Sequence, residues 1–265
     1  MGAARVHLEG TSSIGAVLRL RDVRFACDDP TAVAAFWAAL LGYDARSDGT
    51  RVLASDPRGE GPRLAFDRLE KSPTIELPIH LDVNVPDRET EVRRALDLGG
   101  RIVETKTSTV GEHSETFTVM RDVEGNGFCV QGPDPRKPHP YVGNVTFSCA
   151  EPRRVAGPFW SEALGWPEQE IPEDFLQMLR SAGVDVDREF YAFYAILDPA
   201  GGRPRLLFQR RERSRPEVYP IQLELTSDDV EKDVDRVAAA GATVVERRDG
   251  TTILRDPEGN PFSIE

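Results

Sequence analysis

Apolar and polar positions along this chain follow two spacings that alternate in blocks. From Leu18 to Cys27, Val23, Phe25 and Cys27 fall on one side and Asp22, Arg24 and Ala26 on the other, the period of two expected of a half-buried strand. After Asp28-Asp29-Pro30-Thr31 the spacing widens. Val33, Phe36, Trp37, Leu40 and Leu41 then form a helical stripe, and Gly42 is placed to cap it. Short strands are predicted at Val52 to Ala54 and at Arg63 to Arg68, the second with Leu64 and Phe66 toward the helix. One β-α-β-β-β unit is thus complete near Glu70. A second unit has strand Ile79 to Val85, helix Asp87 to Leu98, and strands at Arg101 to Lys106, Glu115 to Arg121 and Gly127 to Gln131.

The same order is then written again. His80 and Gln222 lie 142 positions apart, as do Gly99 and Gly241, and Pro62 and Pro204. Asn126 and Asn260 lie 134 apart, so register is kept through the elements and eight residues are lost in a connection. Phe159-Trp160 answers Phe36-Trp37, and Arg255-Asp256-Pro257-Glu258-Gly259-Asn260 answers Arg121-Asp122-Val123-Glu124-Gly125-Asn126. The chain therefore divides into a loose arm at 1–15, a first domain at 16–132, a Pro-rich linker at 133–140 and a second domain at 141–265. The third unit is longer than the first. From Gly42 to Pro62 is 20 positions and from Gly165 to Pro204 is 39. These extra residues include a short amphipathic helix near Asp174 to Arg180 and the aromatic group Phe190, Tyr191, Phe193 and Tyr194. They form either a surface helix or the wall of a pocket; in the second case Phe175, Leu179, Phe190 and Tyr194 face the site.

Composition narrows the partners. A net charge of -12 and a pI near 5.0 disfavour nucleic acid, whose phosphates are bound mainly through Lys and Arg. No apolar run spans a bilayer and no secretory leader is evident, so a cytoplasmic protein without membrane contact, monomeric or homodimeric, is expected. Cys27, Cys129 and Cys149 show no zinc-like spacing, and Cys27 and Cys149 read as small buried apolar groups. Trp37 and Trp160 read as core. No nucleophile elbow, phosphate-cradling loop or dinucleotide fingerprint is present.

Taken together, D-P-x-x-x-x-x-F-W before a helix ending L-G-Y, H-L-D-V on a strand, and R-D-x-E-G-N before a terminal strand resemble the glyoxalase/bleomycin-resistance (vicinal oxygen chelate) superfamily, over roughly Leu18 to Glu265. The resemblance implies an α+β fold: four βαβββ modules pair into two glyoxalase-like domains, each a cupped mixed sheet with helices on the convex side. It also implies a small-molecule ligand on the concave face. Metal-binding members draw ligands from the first and last strands of each unit. Carried over, those positions are Asp22, Asp67, His80 and Cys129 in the first domain, and Asn144, Gln209, Gln222 and Ser263 in the second. Asp22, Asp67 and His80 are the donors a divalent ion would use, but Cys129 replaces the glutamate of the metalloenzymes. The second set holds no histidine or carboxylate; no cofactor is expected, with a divalent metal in the first domain as the alternative.

His80 and Asp82 share a strand face and form the candidate acid–base pair. Arg24 shares a face with Asp22, and the plain expectation is that the two pair. Gln131 and Tyr194 complete the candidate ligand contacts. Two functions remain open: a metal-independent binder of an antibiotic or secondary metabolite, and a biosynthetic lyase, isomerase or cyclase using His80 as acid–base, with or without a divalent metal.

Overall fold

The computed structural model describes residues 18–69, 78–110, 113–186, 192–201, 204–211, 219–248 and 250–265. The arm expected at 1–15 lies outside them, as do Phe190 and Tyr191. The first unit comprises β1 (Arg19–Cys27), α1 (Pro30–Leu41), β2 (Asp44–Ser47), β3 (Val52–Ser55) and β4 (Arg63–Arg68); the second comprises β5 (Ile79–Asn84), α2 (Arg88–Asp97), β6 (Arg101–Val110), β7 (His113–Arg121) and β8 (Gly127–Gln131). In the third, β9 (Tyr141–Cys149) leads through a π-turn at Pro152–Ala156 into α3 (Gly157–Leu164), then α4 (Glu173–Ser181), β10 (Phe193–Ile196) and β11 (Arg205–Arg210). The fourth has β12 (Ile221–Thr226), α5 (Val230–Ala239), β13 (Thr243–Arg248), β14 (Thr251–Arg255) and β15 (Pro261–Ile264). None of the described helices is long and apolar enough to cross a membrane.

Local chemistry sets the helix ends. Asp29 caps α1 by accepting from the Thr31 and Ala32 amides, Pro30 sits in the first turn, and Gly42 closes the helix with φ of 68° in the left-handed region. Asp87 and Asp229 cap α2 and α5 in the same way.

Two cupped mixed sheets result, as the repeat implies, but their membership crosses the halves. One runs β13-β14-β15-β12-β1-β4-β3-β2 and so joins the first unit to the fourth; the other runs β10-β11-β9-β5-β8-β7-β6 and joins the second to the third. The seams are antiparallel: β1 lies on β12 with Asp22 opposite Glu224, and β5 lies on β9 with Asp82 opposite Asn144. We call the open faces cup A (first and fourth units) and cup B (second and third). Both are completed within one chain.

Helices tie the units the other way. Trp37 of α1 packs on Phe25 of cup A's sheet and on Phe128 of cup B's sheet, with ring centroids 5.4 and 5.2 Å away. Trp160 of α3 does the same with Phe147 and Phe262, at 5.6 and 5.1 Å. The sheets thus stand back to back around one buried core. Each indole N–H also donates to a carboxylate in the turn before a last strand, Trp37 to Asp122 and Trp160 to Asp256, both at 3.0 Å. Asp122 further accepts from the amides of Glu124 and Asn126 and from the Asn126 side chain, while Glu124 accepts from the amides of Asp28 and Asp29. Asp256 and Glu258 repeat the arrangement on Asn260, Ala150 and Glu151. The F-W and R-D-x-E-G-N motifs are therefore two halves of one joint, and the tryptophans read as core carry a polar task as well.

Candidate functional site

Strand alternation decides what reaches each open face. In cup A, Asp22 and Arg24 come from β1, Arg63 and Asp67 from β4, Gln222 and Glu224 from β12, and Ser263 from β15. Arg51, just before β3, grips both the Asp67 carboxylate (2.6 and 2.7 Å) and the Glu224 carboxylate (2.8 and 2.9 Å). Arg63 pairs with the buried Asp22, and Arg24 pairs with Asp67. The expected Arg24–Asp22 pair is not formed; the parallel β1–β4 register sets Asp22 beside Arg63 and leaves Arg24 to reach Asp67. Cup A is filled by its own ions, three arginines against three carboxylates.

Burial pushes the Asp67 carboxyl up, but Arg51 and Arg24 outweigh it and hold the group below the ordinary carboxylate value. A depressed carboxylate stabilises the fold above its unfolded pKa, near 4, and that contribution is lost as pH falls through the folded value. The melting temperature is therefore expected to drop as pH is lowered below about 4. Arg51→Met should flatten that acid slope; an unchanged slope would show that the network does not govern acid stability.

Cup B holds the corresponding positions with other chemistry. Register places Asn144 where cup A has Asp22, Thr146 where it has Arg24, Arg205 for Arg63, Gln209 for Asp67, His80 for Gln222, Asp82 for Glu224 and Cys129 for Ser263. Of the candidate residues, His80, Asp82, Cys129, Gln131, Asn144 and Gln209 thus gather on this face. Asp22 and Asp67 do not join His80, because the first unit's strands pair with the fourth's. For the same reason Gln222 and Ser263 part from Asn144 and Gln209.

The buried Asp82 carboxylate accepts from Asn144 and Thr146, both at 2.7 Å, and lies 3.4 Å from Nε2 of His80. Burial raises the Asp82 carboxyl, but His80, Asn144 and Thr146 more than offset this and hold it low. Nδ1 of His80 is buried without a partner among the described residues. Behind Asn144 stands Arg205, whose Nε donates to Asn144 Oδ1 at 2.7 Å and whose Nη1 donates to Gln169 at 2.6 Å. A polar relay therefore runs from Gln169 through Arg205, Asn144 and Asp82 to His80, and no motif in the sequence pointed to Arg205 or Gln169.

Donor atoms of His80, Asp82 and Cys129 lie within 4.8 Å of one another. They do not suit a divalent ion. Asp82 is already engaged at both oxygens, and burial together with the Asp82 charge pushes the Cys129 thiol well above its ordinary value, so a metal would have to displace the Cys129 proton and compete for Asp82 at once. Asn144, one of the positions the family resemblance pointed to, spends its oxygen on Arg205 and its amide on Asp82.

The relay opens into a cavity of about 490 Å³ whose walls include Gln169, Arg205, Leu207, Phe193, Phe175 and Glu115. Ile171, Pro172 and Phe175 come from the extra residues of the third unit, so this insertion walls a pocket. Leu179 is buried and serves structure. Tyr194 also borders the cavity, but it lies opposite the core residue Phe208 and its ring packs on Gly157, where any Cβ would sit 2.1 Å from the ring. The open-face position belongs to Phe193, one residue earlier, opposite Gln209.

The chain matches the glyoxalase-like domain family twice, over residues 22–131 and 144–265. No protein of curated function matches its sequence. Among solved structures, glyoxalase I from Zea mays is similar at 14% identity and a TM-score of 0.65, covering 94% of this chain and 92% of that one. A proposed dioxygenase from Bacillus subtilis is similar at 13% identity and a TM-score of 0.56, covering 92% and 84%. At these identities the likeness concerns the fold alone.

Proposed function

Because the chain belongs to the glyoxalase-like domain family, which it matches over 22–131 and again over 144–265, we propose that it binds a small organic molecule, such as a secondary metabolite, in cup B without a metal. The observation that carries this reading is the contrast between equivalent positions. Cup A neutralises every charge it presents, whereas cup B trades three of those ions for Asn144, Thr146 and Gln209 and sets Phe193 at the place of Arg51. Phe175 and Phe193 stand 43% and 46% exposed on the walls of one cavity, a costly disposition for large apolar groups unless something covers them.

A natural-product panel screened by thermal shift is expected to yield stabilising ligands. Phe193→Ala should abolish the shift with little change in the unliganded melting temperature, and chelator treatment should leave the shift intact. A panel without hits, or hits indifferent to Phe193→Ala, would sink the proposal.

One observation favours a second reading, a lyase, isomerase or cyclase. His80 sits beside a carboxylate that orients it, with its other nitrogen uncommitted, an arrangement suited to moving a proton. Within the same experiment, His80→Gln, which installs the residue cup A carries at this position, separates the two. Lost turnover with ligand binding retained identifies an enzyme, and unchanged binding without turnover in the parent protein identifies a binder.

A further inference from the structure

We infer that the ligand of cup B is an anionic aromatic molecule of the aryl carboxylate class, its charge set against Arg205 and its ring against Phe175 and Phe193. The inference rests on the binding reading above and specifies it. Its origin is one substitution between the two cups. In cup A the arginine at this position, Arg63, is paired with Asp22 directly across the β1–β4 ladder. In cup B the same cross-strand neighbour is Asn144, so Arg205 keeps the hydrogen-bond geometry and loses the counter-ion.

What remains around Arg205 is neutral. Its two hydrogen-bond partners, Asn144 and Gln169, are both amides, and among the described residues no carboxylate pairs with it. Asp82, Glu115 and Arg136 act on it only through space. A largely enclosed guanidinium without a paired anion is expensive in a folded protein, and its planar fork matches a carboxylate. Arg153, the other cation on the cavity wall, is already held by Glu168 at 2.7 Å, which leaves Arg205 as the group an anion would meet. The apolar part of the wall, Phe175, Phe193 and Leu207, offers area for a ring rather than for a sugar or a peptide. Glu115 lines the same cavity and disfavours a second negative charge, so a monoanion fits better than a polyanion.

Calorimetric titration with naphthoate and with the equally shaped naphthamide tests the idea. The acid is expected to bind about tenfold more tightly, the difference between a charge-assisted and a neutral hydrogen bond. Gln169→Glu, isosteric and already in contact with Arg205, hands the guanidinium a carboxylate of its own. It should erase most of the acid's advantage without lowering the melting temperature, and Arg205→Gln should do the same to the advantage. Equal binding of acid and amide, or tighter binding of a naphthylmethylammonium probe, overturns the anion assignment; if Phe193→Ala weakens that binding, the site itself stands. Failure of all three probes to bind, or binding that ignores Phe193→Ala, removes the site along with the assignment.

Discussion

Asp122→Ala is expected to destabilise the protein by at least about 3 kcal/mol, and Asp256→Ala by a similar amount, because each removes the shared carboxylate acceptor of several donors at once. Asp122 lies fully buried and satisfies the Trp37 indole, the Asn126 side chain and the amides of Glu124 and Asn126. Removing one acceptor therefore takes a bond from four donors at once, each worth roughly 1 to 3 kcal/mol where no other acceptor or entering water replaces it. Trp37→Phe takes away one of the four and is expected to cost far less than Asp122→Ala. Chemical denaturation of the three variants checks the order. If Asp122→Ala proves milder than Trp37→Phe, the carboxylate is not the hub of the joint.

Severing the chain in the Pro-rich connection should be more drastic still. Residues 18–132 expressed alone would retain the joint between Trp37 and Asp122 but lose β12 from beside β1 and β9 from beside β5. Each seam is a ladder of six paired residues at the centre of its sheet, and Arg51 loses Glu224 as well. Two central strands would become bare edges, which associate or unfold rather than remain as monomers. Hydrodynamic mass and thermal melting of the isolated half should show self-association or no cooperative transition, and mixing the two halves should restore a complex with the melting behaviour of the full chain. A monomeric half with a sharp melt of its own would contradict the crossed pairing. The connection is itself tied down: Asp134 accepts from Asn84 and from the Tyr141 hydroxyl, and its amide donates to Val85.

How much of this was legible beforehand depends on how local each cause is. The four units, their helix stripes and their cap residues were written in the sequence, because spacing, Asp at an N-cap and Gly at a left-handed C-cap act over a few residues. The 142-residue register announced the duplication, and the longer third unit announced an insertion, though not whether it was a surface helix or a pocket wall. His80 and Asp82 were placed together correctly, since two residues on a strand share a face. Missed were β2, whose four residues Asp44-Ala45-Arg46-Ser47 are all exposed and carry no apolar signal, and the strand role of Tyr194, displaced by one residue from the open face.

What only the tertiary structure decided is which units share a sheet. Backbone hydrogen bonds are nearly indifferent to side-chain identity, so any of the repeated first strands offers an acceptable edge to any other, and the sequence carries no address for the partner. The address lies in the assembled core, where Trp37 bridges the first unit to the second through Phe128 and Asp122, and so directs their sheets apart rather than into one cup. That choice redistributed every candidate residue: it gave Asp22, Asp67 and Glu224 to three arginines in cup A, and it left Arg205 in cup B beside an asparagine instead of an aspartate.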